Sequence, residues 1–148
     1  MWDDTFAMMN PEIADALRDG DGNTAFELMH RELDRAWAES WRVLREGGMI
    51  CINIGDATRT LEKEFALYPN HARTLTSMLH RGFQLLPLII WRKPTNAPNK
   101  FMGSGMLPPS AYVTLEHEYI LIGRKGTKRA FITKGERTAR RRSAFFWE

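Results

Sequence analysis

The chain has 148 residues, of which 43% are hydrophobic and 26% charged, with a formal net charge of +3. This is the size and composition of one globular domain, or of part of one. The longest apolar run, residues 85–91, is far shorter than the roughly 20 residues that a membrane-spanning helix needs. The acidic start argues against a signal peptide. The single cysteine, Cys51, excludes an internal disulfide and a cysteine-based zinc cluster, and fits a reducing, cytoplasmic setting.

The first predicted elements are an irregular start and a long helix. Residues 1–22 mix apolar residues with Asp, Gly and Pro, and predict no regular structure. Apolar residues then recur at spacings of three and four, which predicts a helix from an N-cap at Asn23 to a stop at Gly47 and Gly48. The apolar stripe consists of Phe26, Met29, Leu33, Trp37, Trp41 and Leu44.

A continuous apolar run at residues 49–54 follows directly and predicts a buried strand, with Cys51 as an inert buried thiol. Continuous apolarity is typical of a parallel sheet covered on both faces. Asn53, Gly55 and Asp56 lie at the end of this strand, where α/β sheets place their ligands. Gly55 would allow a ligand to approach the backbone. A simple structural turn explains the same residues equally well, so both interpretations stay open.

The rest of the chain predicts one more helix and two more strands. Residues 57–69 predict a loop, and Asn70 an N-cap of a helix that ends near Gly82. Residues 83–91 and 118–123 predict strands, separated by a proline-rich loop at 92–115 that is long enough to be functional. The first two strands should form a parallel βαβ unit, and the third should pair antiparallel with the second.

This order predicts a single α/β domain. It has an irregular start at 1–22, an α/β core at 23–123 and a basic C-terminal segment at 124–148. Basic residues dominate positions 124–142, where Glu136 is the single acid, so this segment predicts contact with a polyanion or, alternatively, a solvated surface. The four histidines lack metal-ligand spacing, and no metal site is predicted. The candidate residues of the basic segment for contact with a polyanion are Arg124, Lys125, Arg140, Arg141 and Arg142.

Four motifs stand in a characteristic order: WRVLREGG, MICINIGD, IIWRKPTNAPNKF and LEHEYILIGRKG. Over nearly the whole chain this order resembles the DNA methyltransferases that modify N4 of cytosine or N6 of adenine with S-adenosylmethionine. The resemblance implies a partial methyltransferase-like (Rossmann-like) sheet of about three strands with flanking helices. It also implies double-stranded DNA as the partner, without deciding between cytosine and adenine.

The resemblance implies roles for individual residues. It places a pocket group, consisting of Trp91, Lys93, Pro94 and Asn96, at the rim of the target-base pocket. It places Asn53, Gly55 and Asp56 beside the cofactor cleft. It also places Lys100, together with the basic residues named above, on DNA. Strand-end packing, solvation and turn formation are the alternatives for the pocket group. His117 and Glu118 are expected to pack or hydrogen-bond at a strand entry rather than to act as acid and base.

The resemblance also implies what this chain does not contain. The Pro-Pro-Tyr catalytic motif and the glycine-rich cofactor loop of the family find no match, so no catalytic residue is assigned. We therefore expect a central fragment that binds S-adenosylmethionine poorly and transfers no methyl group alone. The main alternative is a non-catalytic binding or assembly module, which self-associates or complements a partner fragment through an exposed sheet edge. A nucleic-acid-binding module that uses the basic segment is a further alternative.

Overall fold

A computed structural model describes residues 2–93, 101–103, 111–113, 115–130 and 133–135. In these ranges no helix combines the length and the apolarity that crossing a bilayer requires. The elements, in chain order, are α1 (Trp2–Met9), α2 (Pro11–Arg18), α3 (Gly22–Val43), β1 (Met49–Ile54), β2 (Ala57–Leu61), β3 (Glu64–Tyr68), α4 (Asn70–Arg81), β4 (Phe83–Arg92), β5 (Phe101–Gly103), β6 (Ala111–Val113) and β7 (His117–Lys125).

The central sheet has three strands in the order β1-β7-β4, and β7 is antiparallel to both neighbours. The two outer strands therefore run in the same direction without pairing, and their carboxyl ends lie at one edge. The first two predicted strands are parallel to each other, as predicted, but they do not pair, because β7 lies between them. The predicted antiparallel pairing of β7 with β4 is confirmed.

Local hydrogen bonds and backbone conformation set the bounds of the two long helices. The carboxylate of Asp21, and not Asn23 as predicted, caps α3 by accepting the backbone N–H of Thr24 at 3.0 Å. Helix α4 ends at Gly82, whose φ of 97° is the left-handed conformation that closes many helices. Asn70 is the first residue of α4 rather than its predicted cap, and its side chain is buried.

Helices α3 and α4 cover one face of the sheet. Met78 and Leu121 are fully buried there, with Trp37 and Trp41 of α3 packed around them. The opposite face is open in the described part of the chain, where Cys51 is exposed. The expectation that β1 is covered on both faces, with Cys51 as a buried thiol, is therefore wrong. A continuous apolar run does not reveal that only alternate side chains of a strand meet the helices.

Segments predicted as irregular contain helices and strands. Residues 2–18 form α1 and α2, whose Ile13 belongs to a second core with Phe26 of α3 and Tyr68 of β3. The predicted loop at 57–69 contains the β2–β3 hairpin, and the predicted loop at 92–115 contains the paired strands β5 and β6. The α/β fold class, with a three-stranded sheet and flanking helices, is confirmed.

Candidate functional site

The carboxyl ends of β1 and β4 bracket the start of β7. In the ladder Trp91 lies opposite Glu118, and Ile54 lies opposite Tyr119, so Gly55 comes beside Glu118. Side chains directly opposite each other point to the same face of a sheet, so Trp91 and Glu118 share the open face. This edge thus brings residues predicted for the target-base pocket next to residues predicted for the cofactor cleft.

Glu118 joins the two predicted groups. One carboxylate oxygen binds the ammonium of Lys93, and the other accepts a 2.9 Å hydrogen bond from the side-chain amide of Asn53. The hydrogen bond from Lys93 lowers the pKa of Glu118, and the bond from Asn53 adds to this effect. Glu118 is therefore a carboxylate at neutral pH, held in one orientation by two donors.

Trp91 gives this edge a half-exposed aromatic surface. Its side chain is 47% exposed, and the ammonium of Lys93 lies 5.3 Å from the ring centroid, within the range of a cation–π contact. The backbone N–H of Lys93 donates to the carbonyl oxygen of Glu116 at 2.7 Å, which fixes the chain just beyond β4. An exposed indole beside charged donors and acceptors can stack on an extruded base while its edge is hydrogen-bonded.

Gly55 makes room for Glu118. A Cβ atom at Gly55 would lie 3.0 Å from Cγ of Glu118, so the space beside this glycine is already filled by a protein side chain. Its carbonyl oxygen accepts a 2.9 Å hydrogen bond from the amide of Asn70. The observed contacts give Gly55 a packing role, and its predicted role beside a cofactor stays a prediction.

A buried pair of residues holds Gly55 from behind. The amide oxygen of Asn70 lies 3.1 Å from Nε2 of His30, which is fully buried in α3. Because the amide nitrogen of Asn70 donates to Gly55, its oxygen must accept, so Nε2 of His30 carries the proton. Burial lowers the pKa of His30, and the ring is neutral. The sequence carried no signal for this pair, because the two residues are 40 positions apart.

Asp56 anchors the start of α4 rather than facing the open side of the sheet. Its carboxylate, 6% exposed, accepts both the backbone N–H of His71 at 3.0 Å and the ring Nδ1 at 2.7 Å. The His71 ring stacks on Tyr119 at 3.9 Å, and the Tyr119 hydroxyl lies 2.9 Å from Nε2 of His117. Burial, followed by the charge of Asp56, raises the pKa of Tyr119. As predicted, His117 serves in hydrogen bonding at the strand entry.

The predicted DNA contacts that the structure describes lie at the opposite end of β7. The ammonium of Lys125 binds the carbonyl oxygen of Leu44 at 2.7 Å and lies 5.1 Å from the Trp41 ring centroid, so it closes the end of α3. Arg124 donates to the carbonyl oxygen of Gly126 at 3.3 Å. Their roles on DNA stay predictions. The predicted site residues outside the described part of the chain are Pro94, Asn96, Lys100, Arg140, Arg141 and Arg142.

Comparison with known proteins decides the family. A family model described as DNA methylase matches residues 1–144. The chain belongs to the DNA methylase family. Among curated relatives, the methylase chain is 57% identical over its whole length to Type II methyltransferase M.MthZI of Methanothermobacter thermautotrophicus. It is 46% identical, over 90% of its length, to Type II methyltransferase M.MjaI of Methanocaldococcus jannaschii.

A solved structure shares the fold. TTHA0409 of Thermus thermophilus, assigned as a DNA modification methylase, matches 80% of the methylase chain with a TM-score of 0.63 and 32% identity, in a complex with S-adenosyl-L-methionine. A selenomethionine form of TTHA0409 matches 82% of the chain with a TM-score of 0.64 and 30% identity. The chain spans less than half of each relative, namely 42% and 48% of the curated proteins and 46% and 47% of the solved chains.

The described residues can be tested against the polar groups of S-adenosylmethionine. Asn53 is exposed on the open face, so its amide could meet a polar group of such a ligand. Lys93 is bound to Glu118, and Asp56 and Gly55 are already engaged by α4. The fit therefore rests on Asn53, and the cofactor-cleft assignment of all three β1-end residues stays a prediction.

Proposed function

We propose that the chain is the central part of a site-specific DNA methyltransferase that uses S-adenosylmethionine to modify N4 of cytosine or N6 of adenine in duplex DNA. One observation carries the proposal: in a chain that matches DNA methylases over residues 1–144, Trp91, Lys93 and Asn53 converge on Glu118 at the carboxyl edge of the sheet. The Type II names of two relatives favour a role in restriction–modification. A cytoplasmic location goes with a DNA substrate.

In this proposal the chain contributes the target-base side of the reaction. The base must leave the duplex stack, and the exposed Trp91 ring offers a face on which it can stack. Lys93 supplies donors for the base edge or the neighbouring backbone, while Asn53 faces the cofactor. S-adenosylmethionine supplies the methyl group when it is bound. Glu118 does not touch the reacting atoms, and orients Lys93 and Asn53 from behind.

A methyl-transfer assay tests the proposal. The protein encoded by the whole reading frame and the 148-residue chain are each incubated with methyl-labelled S-adenosylmethionine and duplex DNA of mixed sequence. We expect transfer by the whole protein and none by the shorter chain alone. Digestion of the DNA to nucleosides then distinguishes N4-methylcytosine from N6-methyladenine. Absence of transfer to any duplex by the whole protein would contradict the proposal.

A second candidate function is an assembly module, and the open face of the sheet favours it. Met49 is 53% exposed and Ile89 41%, on strands whose outer edges are unpaired in the described residues. Exposed apolar patches and free strand edges promote association with another chain. We propose self-association or pairing with a complementary fragment on this basis. Analytical ultracentrifugation tests it, and a monomer at all concentrations up to the millimolar range would contradict it.

A further inference from the structure

In the DNA-free chain the ammonium of Lys93 contacts two side chains at once. It binds a carboxylate oxygen of Glu118, and it lies over the Trp91 ring at 5.3 Å from the centroid. Glu118 is held in turn by Asn53 at 2.9 Å, and Gly55 leaves the space that its side chain needs. A charged side chain thus covers the aromatic surface on which the proposed function stacks a base.

The arrangement of Glu118 favours this resting contact. Its side chain is 23% exposed, whereas that of Lys93 is 45% exposed, so the carboxylate is the fixed partner and the lysine the mobile one. The four-carbon stem of a lysine allows its ammonium to move by several ångströms without any change in the backbone. The backbone of Lys93 is itself tied to Glu116 at 2.7 Å. A move of the ammonium therefore exchanges one anion for another while the strand end stays in place.

We infer that Glu118 is a positioning residue. It holds Lys93 over Trp91 until a DNA phosphate replaces Glu118 as the anion that binds the lysine. This inference rests on the proposed function, because it requires DNA as the incoming anion. The exchange moves the ammonium away from the Trp91 ring when a phosphate arrives, so more of the stacking surface becomes available beside a nucleic-acid backbone. It forms and breaks no covalent bond, and the charge of the complex is conserved.

The size of the effect follows from the exposure of the pair. Exposed ion pairs contribute about 0.2–1 kcal/mol, so loss of the Glu118 contact should change DNA affinity by about 1.4- to fivefold. Glu118→Gln removes the carboxylate and keeps the shape. Its matched control is Glu116→Gln, which removes the same charge two residues earlier in the chain, from a carboxylate whose ion-pair partners include Arg92. Both variants weaken the general repulsion of DNA equally, so the difference between them reports Lys93.

The first test uses the free chain and needs no DNA. The Trp91 ring current should shift the Lys93 side-chain methylene protons upfield in the NMR spectrum. This shift should shrink in Glu118→Gln and persist in Glu116→Gln. Lysine methylene protons at ordinary positions, or an equal response in both variants, would overturn the inference whatever the chain does with DNA.

The second test is a DNA titration at two salt concentrations with a double-mutant cycle. Glu118→Gln should bind a mixed-sequence duplex about 1.4- to fivefold more tightly than Glu116→Gln, and this advantage should vanish when Lys93→Met is added to both. If the unmodified chain binds DNA but the two variants bind alike, the positioning role of Glu118 is refuted and the proposed function stands. If no variant binds DNA, the DNA contact of the proposed function is refuted for this chain, and the inference with it. Binding by Glu118→Gln alone would support both.

Discussion

Acid should destabilise this fold through His30 before it affects the carboxylates. His30 is fully buried, its Nε2–H donates to Asn70, and its Nδ1 has no hydrogen-bond partner among the described residues. Protonation would place a charge and a second N–H at Nδ1, where nothing described accepts it. Burial accordingly lowers the pKa of His30 from its usual value of 6.5. The unfolded chain, by contrast, takes up the proton near pH 6.5.

The sign and size of the effect follow from this difference. Below pH 6.5 the unfolded state binds a proton that the folded state refuses, so the free energy of unfolding decreases as the pH decreases. One such proton contributes a slope of at most about 1.4 kcal/mol per pH unit, which ends at the folded-state pKa. The lowered pKa of Glu118 acts only below its usual value of 4.5, so the range from about pH 5 to 7 separates the effect of His30 from that of Glu118.

Urea unfolding, followed by tryptophan fluorescence at several pH values from about 5 to 8, measures this slope. His30→Gln should flatten the curve between about pH 5 and 6.5, although it lowers stability at every pH. His80→Gln is the control, because it removes a histidine that α4 exposes to solvent. An unchanged slope in His30→Gln, or a His30 ring that NMR shows to protonate near pH 6.5 in the folded chain, would refute the reasoning.

Three further outcomes are expected. Met78→Ala empties a fully buried position under the sheet and should lower the free energy of unfolding by about 2–5 kcal/mol in urea titrations, whereas Leu79→Ala, exposed on the same helix, should change it by less than about 1 kcal/mol. Lys63→Gly should raise stability by about 1 kcal/mol, because Lys63 has a φ of 72° in the hairpin turn; a loss of stability would show that this conformation carries no strain. Trp91→Ala should weaken binding of single-stranded DNA by about 1–3 kcal/mol in fluorescence anisotropy, and Trp91→Phe by less; equal losses would exclude stacking.

The elements with long apolar periods could be predicted from the sequence. Helix α3, strand β1, helix α4, strand β4 and strand β7 follow from apolar spacing, and Gly82 ends α4 as predicted, whereas α3 ends at Val43, before its predicted stop at Gly47 and Gly48. The hairpin of β2 and β3 could not, because its two-residue turn is Glu62-Lys63, with φ angles of 46° and 72°. Such turns usually contain Asn or Gly, and their strand signal is missed when other residues adopt the strained conformation. Helices α1 and α2 are short, and their apolar faces become visible only against α3.

The site shows a different limit of sequence analysis. Asn53, Trp91 and Lys93 could be singled out one by one, because polar or exposed aromatic residues at strand ends are unusual in a purely structural sheet. Their common partner, Glu118, could not be predicted. It lies 65 residues after Asn53, and it reaches this edge only because β7 lies between β1 and β4. The inserted strand separates them and supplies Glu118 as the connection.

This inserted strand explains why the edge can respond to an incoming anion. If β1 and β4 were adjacent, Asn53 and Lys93 would be fixed by the strand ladder alone. With β7 between them, both side chains depend on one carboxylate, and any anion that competes for Lys93 also changes what holds Asn53. Gly55→Ala provides an independent perturbation, because its Cβ would lie 3.0 Å from Cγ of Glu118 without altering any charge. If Glu118 couples the two residues, this uncharged change should shift the NMR signals of both the Asn53 amide and the Lys93 side chain. A shift of one without the other would mean that Glu118 holds them independently.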